Sequence, residues 1–272
     1  PQDTDQVVAA IGATTPLVGL VLPPFVVNST GDQPNIAVGN GACSTGAANA
    51  NTCTLRAAIE EANAQAAQGN TASIAFNIPG GGVQTINSTN GLPALTAGNV
   101  TIDGYTQPGS SVNTDPLVDN ATLTVQLQGP GPYTGNLTTK GMTITSTNNV
   151  VRGLAIFNFT VNVSLFGLGS TQNRIVGNYL GTDAAGVFGA PKPPAGFNQA
   201  GAGVNLDAGA ASNLIGTPLL ADRNVLSGNA AHGVTFDHED TDNNILQNNL
   251  IGLSPLGDRT IRNWKHGVDI NT

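Results

Sequence analysis

The sequence predicts an all-β chain: a right-handed parallel β-helix, or solenoid, with one capping α-helix near its N-terminus. Three features lead there: a Gly- and Asn-rich, charge-poor composition, a repeat of short apolar runs, and a lone amphipathic helix ahead of them. Only 10% of the 272 residues are charged and 4% aromatic, against 35 glycines, which suits short strands and tight turns better than packed helices. Hydrophobic residues still make up 39%, enough for a core and too many for a disordered chain.

The chain divides into three parts. Residues 1–24 read as an extension, with acidic Asp3 and Asp5 leading into the Pro-punctuated apolar run PLVGLVLPP. Numbering from Pro1 without a leader reads as a processed product. Residues 25–71 read as an N-terminal cap that begins with the strand FVVN and contains the helix Thr54–Gln68. Thr54 suits the N-cap, and Leu55, Ala58, Ile59 and Ala62 fall on one helical face. A helix there would cover the first coil's unpaired edge and cut-open core.

Residues 72–272 read as the repeats. Gly203-Val204, Gly233-Val234 and Gly267-Val268 open equivalent strands 30 and 34 residues apart, and NRIVGN at 173–178 returns as NNILQN at 243–248. About three short strands per repeat mark a β-solenoid rather than a leucine-rich or ankyrin array. Val204 and Leu206, like Val234 and Phe236, are expected inside, with Asn205 and Thr235 outside. Asn178, Asn229 and Asn248 are the candidates for stacked corner amides. The right hand follows from the preference of parallel crossovers.

Net charge −8 and a pI near 4.5 argue against nucleic acid, anionic lipid and, more weakly, polyanionic sugars. The longest apolar stretch, 16–27, is too short to span a membrane and is broken by Pro23 and Pro24. Cys43 and Cys53 lie ten residues apart in a Gly/Ala/Asn-rich loop, where nothing supplies the further ligands of a zinc site. A disulfide is the expectation and two buried thiols the alternative.

The segment CTLRAAIEEAN, Cys53 to Asn63, resembles the signature of the bacterial CSLREA-domain family, with Cys53, Leu55, Arg56, Ala58, Ile59, Ala62 and Asn63 matching it. FVVNSTGD before it, and IAFNIPG, VTIDGYTQPG and NRIVGNYLGTDAAG after it, extend the likeness over roughly residues 25–270. The resemblance implies a secreted or surface protein with right-handed parallel β-helix repeats. It implies no catalytic residues.

Asp207, Asp237 and Asp269 end or follow Gly-Val strands and could form a carboxylate column, with Asp269 set differently from the other two. Paired carboxylates would be the machinery of a glycoside hydrolase. Yet Asn113-Thr114-Asp115 sits in a loop, no Asp-Asp pair or Arg-Ile-Lys occurs, and His232 and His266 precede Gly-Val rather than sit between glycines. No catalytic or cofactor-binding residue is assigned. The acidic run 237–242 offers Asp237, Glu239, Asp240 and Asp242 as weak Ca²⁺ ligands, a solvated loop being the simpler account. His232 and His266 share a repeat position, read first as a corner residue and second as a metal pair. Arg56 reads as a structural partner for a carboxylate or for carbonyls. Thr122/Thr124 and Thr143/Thr145 are too few for an ice-binding face. Seven Asn-X-Ser/Thr sequons (Asn28, Asn87, Asn99, Asn120, Asn136, Asn158, Asn162) permit glycosylation without indicating it.

The expectation is therefore a non-enzymatic secreted or cell-surface structural protein, an adhesin-like stalk or filament subunit. The alternative is a polysaccharide-degrading hydrolase or lyase. Surface glycans are candidate partners. Apolar Leu17–Leu22 offered to the strand edge near Thr272 would join copies head to tail through residues 1–24.

Overall fold

The computed structural model describes residues 21–46, 51–133, 139–194 and 201–271. Its strands fall into successive coils. The first coil holds β1 (Phe25–Val27), followed by helix α1 (Leu55–Ala66). The second holds β2 (Ala72–Phe76) and β3 (Gln84–Asn87), and Leu95 bridges Ile144 where a third strand would lie. Three-stranded coils follow: β4 (Val100–Asp103), β5 (Val125–Gln128) and β6 (Lys140–Ile144), then β7 (Val150–Arg152), β8 (Ala155–Phe157) and β9 (Val161–Phe166). Next come β10 (Arg174–Val176), β11 (Tyr179–Leu180) and β12 (Ala202–Asp207), and then β13 (Leu214–Ile215), β14 (Val225–Leu226) and β15 (His232–Asp237). The last described coil is β16 (Ile245–Leu246), β17 (Leu250–Ile251) and β18 (Val268–Asn271).

These strands build three parallel sheets, in the orders β1-β2-β4-β7-β10-β13-β16, β3-β5-β8-β11-β14-β17 and β6-β9-β12-β15-β18. A strand pairs with the one about three places on, so each turn of chain adds one rung to every sheet. This is a parallel β-helix, right-handed as parallel crossovers are.

Register stacks like on like inside it. The first sheet contributes the column Phe25, Ile74, Ile102, Val151, Ile175, Ile215, Leu246. The second contributes Ile86, Leu127, Ile156, Leu180, Leu226, Ile251. In the third, Val204 pairs with Val234 and Leu206 with Phe236, so the Gly-Val strands are equivalent as expected.

The corners are asparagine ladders. Asn149, Asn173, Asn213 and Asn244 each precede a strand of the first sheet. The backbone N–H of Asn149, Asn173 and Asn213 donates to the Oδ1 of the next ladder residue at 2.8–2.9 Å, and the side-chain amides repeat the link at 2.9–3.0 Å. A second ladder, Asn178, Asn224 and Asn249, opens the second sheet. A third joins Asn162, Asn229 and Asn263. Asn178 and Asn229 are thus corner amides, but in different ladders, and Asn249 takes the place expected for Asn248. Asn248 has φ 54° and donates outward to the carbonyls of Thr217 and Leu219.

The cap is fixed by its own hydrogen bonds. Thr54 Oγ1 accepts from Ala57 N–H at 3.1 Å, and Leu55, Ala58, Ile59 and Ala62 are buried in the same core as β1 and β2. The helix ends at Ala66 rather than Gln68 because Gln68 and Gly69 tighten the last turn onto the Gln65 and Ala66 carbonyls. Arg56 forms the structural pair foreseen: Nε and NH2 reach the Asp32 carboxylate at 3.0 and 2.9 Å, and NH2 also the Gly91 carbonyl at 2.7 Å. Glu61, unremarked in the sequence, is fully buried. It accepts from Gly39 and Gly41 N–H at 2.6 Å each and from the Asn35 and Gln65 amides at 3.0 and 2.9 Å. Cys43 and Cys53 are disulfide-bonded, which closes the segment between the clasped loop and the helix.

The expected donor segment 17–22 lies mostly outside the described residues. Its last two positions are already in use: Val21 bridges Thr71 in parallel, and Leu22 N–H donates to the Thr71 carbonyl at 3.2 Å. Of the described residues, no helix is long and apolar enough to cross a membrane.

Two measurements check this account. Ile59→Asp should cost about 3 kcal/mol or more in denaturant unfolding, because it buries an unpaired charge under the cap; an unchanged midpoint would deny the helix its covering role. Asn213→Ala should cost about 2–4 kcal/mol, since it leaves the buried Asn173 N–H without its acceptor and breaks the amide chain. A loss below about 1 kcal/mol would show that the ladder contributes little.

Candidate functional site

The sequence candidates meet on the outer face of the third sheet, toward its last coils. Strand alternation sends Ser164, Asn205, Thr235 and Asp269 outward in one row, and Phe166, Asp207, Asp237 and Asn271 in the next. Asp207 and Asp237 therefore share a row, as their spacing implied. Asp269 sits on the same face but two positions earlier, opposite Thr235.

Each carboxylate is engaged. Asp237 accepts from Asn205 Nδ2 at 2.7 Å and from Asn271 Nδ2 at 3.0 Å. Asp207 Oδ1 lies 2.6 Å from His238 Nδ1. Asp269 Oδ2 accepts from Asn271 Nδ2 at 2.8 Å. Beside them Lys140 Nζ donates to Ser164 Oγ at 3.0 Å and lies 5.3 Å from the Phe166 ring centroid. Burial lowers the Lys140 pKa, with Asp207 pulling it back up.

The acidic run 237–242 forms a turn rather than a cage. His238 and Asp240 have φ 67° and 62°, and Thr241 Oγ1 closes the turn on the Asp237 carbonyl at 2.8 Å. Glu239, Asp240 and Asp242 are exposed. Asp237, His238, Glu239 and Asn271 line an open depression of about 640 Å³. His232 and His266 do stack, ring centroids 5.3 Å apart and inclined at 39°. His232 is buried, and burial lowers its pKa while Asp269 raises it.

The loop motif Asn113-Thr114-Asp115 is structural. Asn113 Nδ2 donates to the carbonyls of Asp115 and Leu220, and Asp115 is held below the ordinary carboxylate range by the N–H groups of Leu117 and Val118. This loop, between β4 and β5, lies over the second sheet. Buried Arg223 binds it through the carbonyls of Val118 at 2.6 Å, Pro116 at 2.8 Å and Asp115 at 3.3 Å.

Beneath the loop lies a titratable cluster that the sequence did not reveal. Tyr179 OH donates to Asp119 Oδ1 at 3.2 Å, and Asp119 Oδ2 is buried without a hydrogen-bond partner. Burial raises the Asp119 pKa and, with the Asp119 charge, raises those of Tyr105 and Tyr179. Asp119 and Tyr179 are each 2% exposed, so a substrate has no access to them. Their partners are 60 residues apart in sequence, and no local motif announces the contact.

The chain matches no protein-family model and no curated protein sequence.

The buried aspartate gives a pH test. Its folded pKa lies above the unfolded value, so its contribution to stability is complete below the ordinary aspartate range and is lost as pH rises through the raised value. Asp119→Asn removes that loss. Between about pH 4 and about pH 7 the wild-type melting temperature should fall relative to the variant's. Parallel melting curves across that range would show that Asp119 is not titrating as a buried acid.

Proposed function

We propose that the chain is a non-enzymatic structural protein working outside the cytoplasm, secreted or displayed at a cell surface as an adhesin-like stalk or filament subunit. The observation that carries this reading is the engagement of Asp207, Asp237 and Asp269 by side chains of the same face. A glycosidase needs one carboxyl poised as acid and another free to act on water or sugar. Here amides and an imidazole occupy those oxygens on an open wall.

The disulfide supports the location, because such bonds persist in oxidising compartments. The resemblance of 53–63 to the CSLREA signature supports it too, and the residues that carry the likeness all serve the cap. Surface glycans remain the partner class this reading favours, since a wall of Asn, Thr and Ser offers paired donors and acceptors. Head-to-tail joining through residues 1–24 belongs to the same proposal. The bridge from Val21 to Thr71 narrows it, leaving the segment before Val21 as the donor.

The test is incubation of the whole chain with a panel of plant and microbial polysaccharides, read by reducing-end assay and by absorbance of unsaturated products. No product is expected. Release that disappears in Asp237→Asn would replace the structural reading with the hydrolase or lyase one.

A further inference from the structure

We propose that His232, His266 and Asp269 form a binding site for a divalent transition-metal ion of the zinc type, a feature independent of the structural role above. Their ligating atoms all lie within 4.8 Å of one another, and among the described residues no other trio of His, Cys, Asp or Glu comes together in this way.

The fold brings them together by register. His232 opens β15, and His266 precedes the matching Gly-Val of the next coil, so the two imidazoles stack. Asp269 follows on β18, opposite Thr235.

His232 points to a ligand on separate grounds. Its side chain is 6% exposed, yet Nδ1 has no hydrogen-bond partner. That nitrogen faces Asp269 Oδ2 at 3.6 Å. The separation is too long for a hydrogen bond. It matches the span of two donors on one tetrahedral ion, whose bonds of about 2.0–2.2 Å set them about 3.4 Å apart. A buried nitrogen left bare beside a carboxylate at that span is what a metal would satisfy.

The surroundings fit a cation. Asn271 orients Asp269 and is itself tied to Asp237, the outer support that a ligating carboxylate usually has. Of the charged groups acting on His232, Asp269 and Asp237 favour a cation, and Lys265 and His266 oppose one. His266 is exposed beside it, and its carbonyl is anchored by Gly233 N–H at 3.0 Å. Two imidazoles and one carboxylate suit Zn²⁺, Co²⁺ or Ni²⁺. Calcium, which takes six to eight oxygens, is poorly served. The ion would clip the coil of β15 to the coil of β18.

The test titrates the whole chain, stripped with chelator, with Zn²⁺ by calorimetry and with Co²⁺ by visible absorption. One saturable equivalent and a raised melting temperature are expected. His266→Ala and Asp269→Asn, both at accessible positions, should each weaken binding at least about tenfold. His238→Ala, at the other histidine–carboxylate pair, should leave it unchanged. Absence of saturable binding to the wild type, wild-type affinity in both ligand variants, or loss confined to His238→Ala would each overturn the assignment.

Discussion

The structure depends on the asparagine ladder. At each corner of a parallel coil the chain turns inward and leaves an N–H buried without a strand partner, at a cost of about 1–3 kcal/mol if unmet. Asparagine answers this once per coil in each ladder. Its Oδ1 accepts an N–H of the coil before, and its Nδ2 passes a donor onward, as at Asn149, Asn173 and Asn213, until Asn244 ends the run by donating back to the Ala210 and Thr241 carbonyls. Asp would stack like charges at strand spacing, and Gln would reach too far. Because the ladder fixes the phase of the coils from β7 onward, it also fixes their interior columns and outward rows. A slip of one residue would break the amide chain and turn the Ile/Val/Leu column to solvent together.

The ladder cannot begin itself, which is the task of the first coils. Helix α1 lays Leu55, Ala58 and Ile59 on the core, but its polar side needs equal attention. Arg56 fixes the strand-side segment through Asp32, Glu61 gathers two loop N–H groups and two amides, and Asn63 both donates to the Ala94 carbonyl at 2.7 Å and accepts from Thr96 N–H at 3.0 Å. The disulfide then limits how far that loop can open. A buried carboxylate is tolerable at Glu61 because four donors surround it. Conversion of Glu61 to Ala would strand those donors, so the residue is bound to the cap's geometry rather than to chemistry.

What could be read from the sequence was what repeats locally. The Gly-Val strands, the helix face and the Cys43–Cys53 loop each carry their signal within a few residues, and each stands in the structure. Position within a corner was less legible. Asn248 and Asn249 are adjacent and identical in type, and only the register Val225–Leu250 shows which one turns in. Contacts made across coils were not legible at all. Arg223 grips a loop more than 100 residues earlier, and Asp119 meets Tyr179 through that same loop. For the histidines the sequence showed the shared position, but not that Asp269, three residues on from His266 and offset from the Asp207–Asp237 row, would approach His232.

The same repetition that stabilises the interior limits what the outer wall can do. Any residue kept at one coil position meets its copy at strand spacing of about 4.8 Å. Apolar and amide side chains gain from that, whereas ionised carboxylates repel. The chain shows the resolution row by row: Asp207 is offset by His238, Asp237 lies between Asn205 and Asn271, and the row continues as Asn271 rather than a third Asp. Carboxylates diluted in this way are stable on an open face. Stacked imidazoles are different. Neutral rings can lie 5.3 Å apart without repulsion, and the adjacent Asp269 carboxylate completes the donor set that the proposed metal site uses. On the proposal above, the strand stacking that spaces the carboxylates also brings two imidazoles near enough for one ion to bridge their coils.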